Sequence, residues 1–195
     1  MAGGTPTLRE KLPEIAIEAA MVVFAVLAAL GVEEWREQRR LREFAAVARS
    51  AVETEIAENL EQFRAAGPAL TELMELLDRV LRAADEDRSV PFELRIRLPA
   101  VSMAAWRAAQ GSPGAPYFEH GWVIRVSRVY EGYEDYAPLR RLVIEDYTRI
   151  FAHQRAFPEM EPADWIELLE PLGGRLFMLE EAHRGIQSGL ESLLE

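Results

Sequence analysis

The three histidines of this 195-residue chain, His120, His153 and His183, are far apart, and only Glu180-x-x-His183 has a ligand-like spacing. Helical di-iron sites need such a pair twice, with further glutamates from neighbouring helices. The chain has it once, so a metal-dependent enzyme is the remotest of the functional readings, and no catalytic residue, metal ligand or cofactor is assigned. Glu180 and Glu181 are adjacent and point different ways from a helix, so they do not form an acid pair. No nucleophile elbow, phosphate loop or dinucleotide fingerprint is present, and the turn from Gly111 to Pro116 lacks the Lys-Ser/Thr that a phosphate site requires. With no cysteine, thiolate zinc sites, cysteine nucleophiles and disulfide frameworks are excluded.

Aromatic residues carry more information. Trp122, Val126, Val129, Tyr130, Tyr133 and Tyr136 follow helical spacing, with Trp106 before them and Tyr147 after. Such a stripe ordinarily packs as core. Tyrosine and tryptophan are also favoured at interfaces. Trp106, Trp122, Tyr130, Tyr133 and Tyr136 are therefore candidates for a groove that takes a peptide, lipid or partner helix, with Arg125, Arg128, Arg140 and Arg141 as its rim or as an ordinary solvated face.

The element that must place these residues is set by the N-terminal stretch "PEIAIEAAMVVFAVLAALGVEEW", residues 13–35. From Ala19 to Val32 no residue is charged or polar, and Glu18 alone interrupts the run back to Ile15. A bilayer span needs about 20 mostly apolar residues, roughly 30 Å of helix, and residues 13–32 supply that length. Trp35, Arg36, Arg39 and Arg40 follow where interfacial anchors belong. A soluble amphipathic helix would show a polar face, which this stretch lacks. It is thus a membrane anchor or a wholly buried helix; the charged run after it lacks a cleavage site, which argues against a signal peptide. Glu14 and Glu18 lie four residues apart, where they complement the helix dipole. Glu18 would lie about 7 Å inside the bilayer, where an acid is costly unless paired or facing protein. They are candidate membrane-embedded acids, and the anchor could self-associate along the small residues Ala16, Ala20, Ala25 and Ala29.

The order Glu-Ile, apolar run, "AALGVEEWREQRR", then "ETEIAENL" at 53–60, "SMAAWRAAQGS" at 102–112 and "VSRVYEGYEDY" at 126–136, resembles a group of uncharacterised bacterial single-pass membrane proteins. In these an N-terminal helix of the type E-I-apolar-A-L ends in a tryptophan and a charged juxtamembrane helix. The resemblance covers most of the chain and implies an inner-membrane protein with a helical C-terminal domain; it carries over no catalytic residues. Glu33 and Glu34 stand where the family more often has asparagines.

The remainder predicts an all-α fold, with the transmembrane helix continuing into a bundle of about five to seven helices. Residues 1–12 form a tail, 13–32 the span and 33–66 a juxtamembrane stalk with its seam at Leu41, Ala45, Ala48, Val52, Ile56, Asn59 and Phe63. The bundle, 67–195, packs with the stalk. Gly67-Pro68 is expected to break the stalk and turn it into an antiparallel hairpin with a helix ending near Ala84. Residues 92–98, "FELRIRL", alternate as a strand does, and lacking a partner strand they are expected to be an extended connector or an edge that pairs with a second copy. Further breaks are expected at Pro138 and at Gly173-Gly174, with a helix from Asp164 or Pro162 to Leu169 between them.

A formal charge of −11, from 33 acids and 22 bases, argues against nucleic-acid binding. The expected partners are the lipid bilayer, a second copy through residues 16–63 and an unspecified protein. Arginines after the span favour a cytoplasmic C-terminal domain at the bacterial inner membrane. The leading functional reading is a non-enzymatic scaffold, sensor or interaction module held at the membrane; the second is a soluble helical bundle that binds a protein or small ligand.

Overall fold

A computed structural model describes residues 8–88, 90–156 and 161–195, with side chains from Ile17 onward except that of Ala156. All regular structure among these residues is helical: α1 (Leu8–Asp85), α2 (Ala104–Gln110), a short 3-10 turn (Ala115–Tyr117), α3 (His120–Ala156) and α4 (Pro162–Leu194). The fold class is all-α as expected, but four helices replace the expected five to seven. Residues 8–12, expected as tail, belong to α1.

The shortfall has one cause. The breaks expected at Gly67-Pro68, Pro138 and Gly173-Gly174 all lie inside continuous helices, α1, α3 and α4 respectively, and α4 also runs through Pro171, which was not among them. A proline in a helix interior removes one hydrogen bond and crowds the carbonyl four residues back. Here all three prolines lie on the exposed side, as do the residues four back, Arg64, Glu134 and Glu167. Water can reach the carbonyls they release. Meanwhile the buried stripe keeps its phase across each site. On α1 it runs Phe63, Ala66, Leu70, Leu73, Leu77; on α4 Leu169, Leu172, Leu176, Leu179, His183, Ile186, Leu190. Breaking the helix at the proline would uncover half of each stripe. The predicted hairpin at Gly67-Pro68 is therefore replaced by one helix of 78 residues, about 117 Å long.

Helix α4 runs antiparallel to both other long helices: Arg64 pairs with Glu191 and Gly67 lies against His183, while Gly132 lies against Ile186 and Gly189 against Val129. Helices α1 and α3 are consequently parallel, and parallel neighbours need a crossover. Residues 86–103 provide it. Returning from Asp85 to the level of Glu55 means covering about 45 Å of helix, which eighteen extended residues can do. This is why 92–98 is extended; no strand occurs among the described residues, so it is the connector. Phe92, Leu94, Ile96 and Leu98 face the bundle, and Leu94 is fully in the core. A left-handed Asp87 closes α1, with the Arg88 N–H donating to the Ala83 carbonyl and the Asp87 N–H to that of Ala84.

The bundle first buries α1 at Ala45. There Gly114 touches the α1 backbone so closely that a Cβ would overlap Ala45. Every residue from Glu18 to Glu37 is exposed. Among the described residues no helix is long and apolar enough to cross a membrane: counted from Ile17, the apolar run is bounded by Glu18 on one side and Glu33 and Glu34 on the other. The expected span reaches back to Pro13, and the side chains of residues 13–16, Glu14 and Ala16 included, lie outside the described ones.

Continuity of α1 predicts the effect of Pro68→Ala. Restoring the missing N–H inside an unbroken helix should stabilise the chain by about 1–3 kcal/mol in urea unfolding followed by circular dichroism; in a hairpin turn the change would be neutral or destabilising.

Candidate functional site

The densest polar constellation is built around Glu55, a carboxylate 5% exposed on α1. It lies on the buried stripe between Val52 and Asn59, and the connector delivers α2 to it. Helix α2 has no side-chain cap of its own. Glu55 serves instead: Oε2 accepts from the Ala105 N–H at 2.9 Å and Oε1 from the Trp106 N–H at 3.2 Å. The Ser102 hydroxyl donates to it at 2.6 Å and the Tyr130 hydroxyl at 2.6 Å. One residue thus ties together α1, α3 and the start of α2. Asn59, one turn on, donates to the Ser102 carbonyl at 2.8 Å and accepts its N–H at 2.9 Å.

Burial alone would raise the Glu55 pKa, but the bonds from Ser102, Tyr130, Ala105 and Trp106 outweigh it and hold the carboxyl below its usual range. Burial, reinforced by Glu55, pushes the Tyr130 phenol up, so it stays a donor. An ionised carboxylate with four donors is occupied as an acceptor. This is the electrostatics of a structural clamp, not of a general base.

The five aromatic candidates lie together. A ladder of rings runs Phe118, Trp122, Trp106, Tyr130, Tyr133, Phe63, with successive centroids 5.2, 6.0, 5.7, 5.3 and 5.8 Å apart. Tyr136 and His183 close on Phe63 at 5.6 and 4.7 Å. Trp106, Trp122, Tyr130, Tyr133 and Tyr136 are all buried, so within this chain they form core rather than an open groove. These rings fill the space between the α1 and α3 backbones, which stay apart while each packs closely on α4. Of the expected rim, Arg125, Arg128 and Arg141 are exposed and Arg140 is half-buried.

His183 and Glu180 do not act as a pair. Glu180 accepts from Arg184 at 2.5 Å, and His183 is buried against Phe63 with neither ring nitrogen at bonding geometry to a partner. Burial lowers its pKa; the Phe63 carbonyl and Glu180 only partly offset this. Among the described residues no three His, Asp or Glu side chains converge as metal ligands. Trp35, Arg36, Arg39 and Arg40 are exposed on the free part of α1, with Arg39 over the Trp35 ring and bonded to Glu43. Glu18 is exposed as well.

Sequence reading missed Glu55 and Asp146. Asp146 is 2% exposed on α3, and both Arg149, at 2.6 Å, and Arg175 of α4 pair with it. The available signal was position: Glu55 and Asp146 both fall on the buried stripe of their helix, where an acid must be partnered.

No family model, curated protein or solved structure matches this chain.

Two outcomes follow from these sites. Glu55→Ala should destabilise the chain by about 3 kcal/mol or more, since it strands several buried donors; Tyr130→Phe, which removes a single bond, should cost about 1–2 kcal/mol. Chemical denaturation of both variants checks the ratio. For His183, the folded pKa is lowered, so as pH falls below about 6.5 the unfolded chain takes up a proton that the folded chain refuses. Stability should begin to drop as pH falls below about 7.5 and keep dropping until the folded His183 is itself protonated, and His183→Leu should flatten that part of the profile. The Glu55 contribution, lost only below the ordinary carboxylate pKa of 4.5, should remain in the variant.

Proposed function

We propose that this chain is a membrane-anchored helical interaction module of the bacterial inner membrane, without catalytic activity. The observation that carries this reading is the uncovered start of α1. Ile17, Met21, Val22, Val23, Phe24, Val26, Leu27, Leu30 and Val32 are between 51% and 73% exposed, and among the described residues no element of the fold packs on them. Soluble proteins rarely leave a contiguous apolar patch beyond a few hundred Å² in water. Covering nine such side chains is worth on the order of 10 kcal/mol. Because the surface is apolar all round, a lipid phase suits it better than one protein face. Trp35 and the arginines after it stand where headgroups would meet them.

The resemblance to single-pass membrane proteins points the same way. Glu18, unscreened on this surface, favours self-association of the anchor, with the alanines allowing close approach. From Glu34 to Glu53 the α1 charges largely pair along the helix, with Gln38 bonded to Glu34, Arg40 to Glu37 and Arg49 to Glu53; that suits an exposed stalk. The bundle is then held about 40 Å beyond Ile17, the length of α1 before Ala45, on the cytoplasmic side if the arginines set orientation.

Carbonate extraction of membranes from an expressing host tests the reading, with a deletion of residues 1–35 alongside. The full chain should stay in the pellet and the deletion should become soluble. Release of the full chain by carbonate would instead assign the apolar segment to a protein interface.

A further inference from the structure

The connector carries an unpaired backbone edge. None of residues 90–101 exchanges a backbone hydrogen bond with other backbone among the described residues. Two of its carbonyls are met by side chains of α3: Phe92 accepts from Gln154 at 3.4 Å and Leu94 from the Tyr147 hydroxyl at 3.5 Å. In an extended chain the N–H and C=O of alternate residues point to the same edge. The even residues thus address α3, and Glu93, Arg95 and Arg97 address the opposite edge. Along that edge lies a depression of about 520 Å³ between α1 and the connector, floored by Leu73, Leu76 and Ile96 and bordered by Glu72, Arg79 and Arg97.

Two features size this edge. Pro91 falls on it and has no N–H, and the alternation ends at the buried Pro99, so its donors are confined to residues 93, 95 and 97. The pleat is fixed by Leu94 in the core and by Glu93 and Arg95 facing solvent at 74% and 84% side-chain exposure. A strand laid along it would bond to three residues, set alternate side chains on the apolar floor and hold the others in solvent.

The geometry points to a β-augmentation site: the groove between α1 and residues 93–97 binds an extended segment of a partner protein, about five residues long, with apolar side chains at alternate positions. A second copy's connector is the poorer occupant. Each connector has its own α1 beside the free edge, so pairing two such edges would drive both α1 helices beneath the same pair of strands. Arg79 and Arg97, and equally Glu72 and Glu75, line the depression without an ion pair among the described residues, so outward side chains of either charge on the guest find an opposite partner on its rim.

The test uses the full chain in detergent micelles and a phage-displayed library of random heptapeptides. Selection should enrich peptides with alternating apolar residues, and a synthetic copy should bind the chain but lose at least about tenfold affinity to a Leu76→Arg variant whose circular dichroism is unchanged. N-methylation of the peptide residues that face the connector should weaken binding by a similar factor, while methylation of the intervening residues should not; bound peptide should slow amide exchange at Glu93, Arg95 and Arg97. Absence of enrichment over the Leu76→Arg chain, binding indifferent to the register of methylation, or a dimer in which exchange at these amides is already slow without peptide would each overturn the proposal.

Discussion

The α1 helix must remain one rod through Gly67 and Pro68, because the rest of the architecture is arranged around that continuity. A single rod fixes the direction of its C-terminal half, so α3 runs parallel to it and α4 antiparallel to both. Parallel α1 and α3 need a long crossover, and the crossover brings an extended segment and a short helix onto the outside of the bundle. A helix as short as α2 is marginal alone. It is held because Glu55 and Asn59 on α1 satisfy its first amide groups and lock Ser102.

This dependence explains why the polar core is concentrated on one carboxylate. Between α1 and α3 the backbones are separated by large rings, which supply apolar contact but few hydrogen bonds. Glu55 is the place where the connector, α2 and Tyr130 of α3 are all fixed to the rod. Its carboxylate also sits at the amino end of α2, where a negative charge is favoured. Asp146 does the corresponding work farther along, drawing Arg175 of α4 onto α3. On the other side of Ala45 the rod has no such neighbours among the described residues, and its apolar surface is what supports the reading of the chain as a membrane-held module.

Much of the fold could be read from periodicity, and the errors came from giving local breakers more weight than phase. The all-α class, the seam through Val52, Ile56 and Phe63, the extended 92–98 connector and the helical aromatic stripe all follow from spacing. Pro68, Pro138 and Pro171 are strong breakers taken alone. Yet Phe63, Ala66, Leu70, Leu73 and Leu77 keep the same three-four rhythm on both sides of Pro68, and the leucines of α4 do so across Pro171 and Gly173-Gly174. A true break would have reset that phase. Glu55 was hidden for a different reason: a glutamate among many on a charged helix looks like surface until its place on the stripe is noticed, and its donors come from residues 102–130, too distant in sequence for spacing to reveal. The same long range conceals the Asp146–Arg175 pair.

The chain has no native cysteine, so paired spin labels can be placed cleanly on exposed α1 positions 51 and 79. Twenty-eight helical residues separate them, and electron–electron dipolar spectroscopy should give a backbone separation of about 42 Å. A separation near 10–12 Å, the spacing of two helices packed side by side, would mean that the chain turns back at Gly67-Pro68 and would contradict the account from its first step.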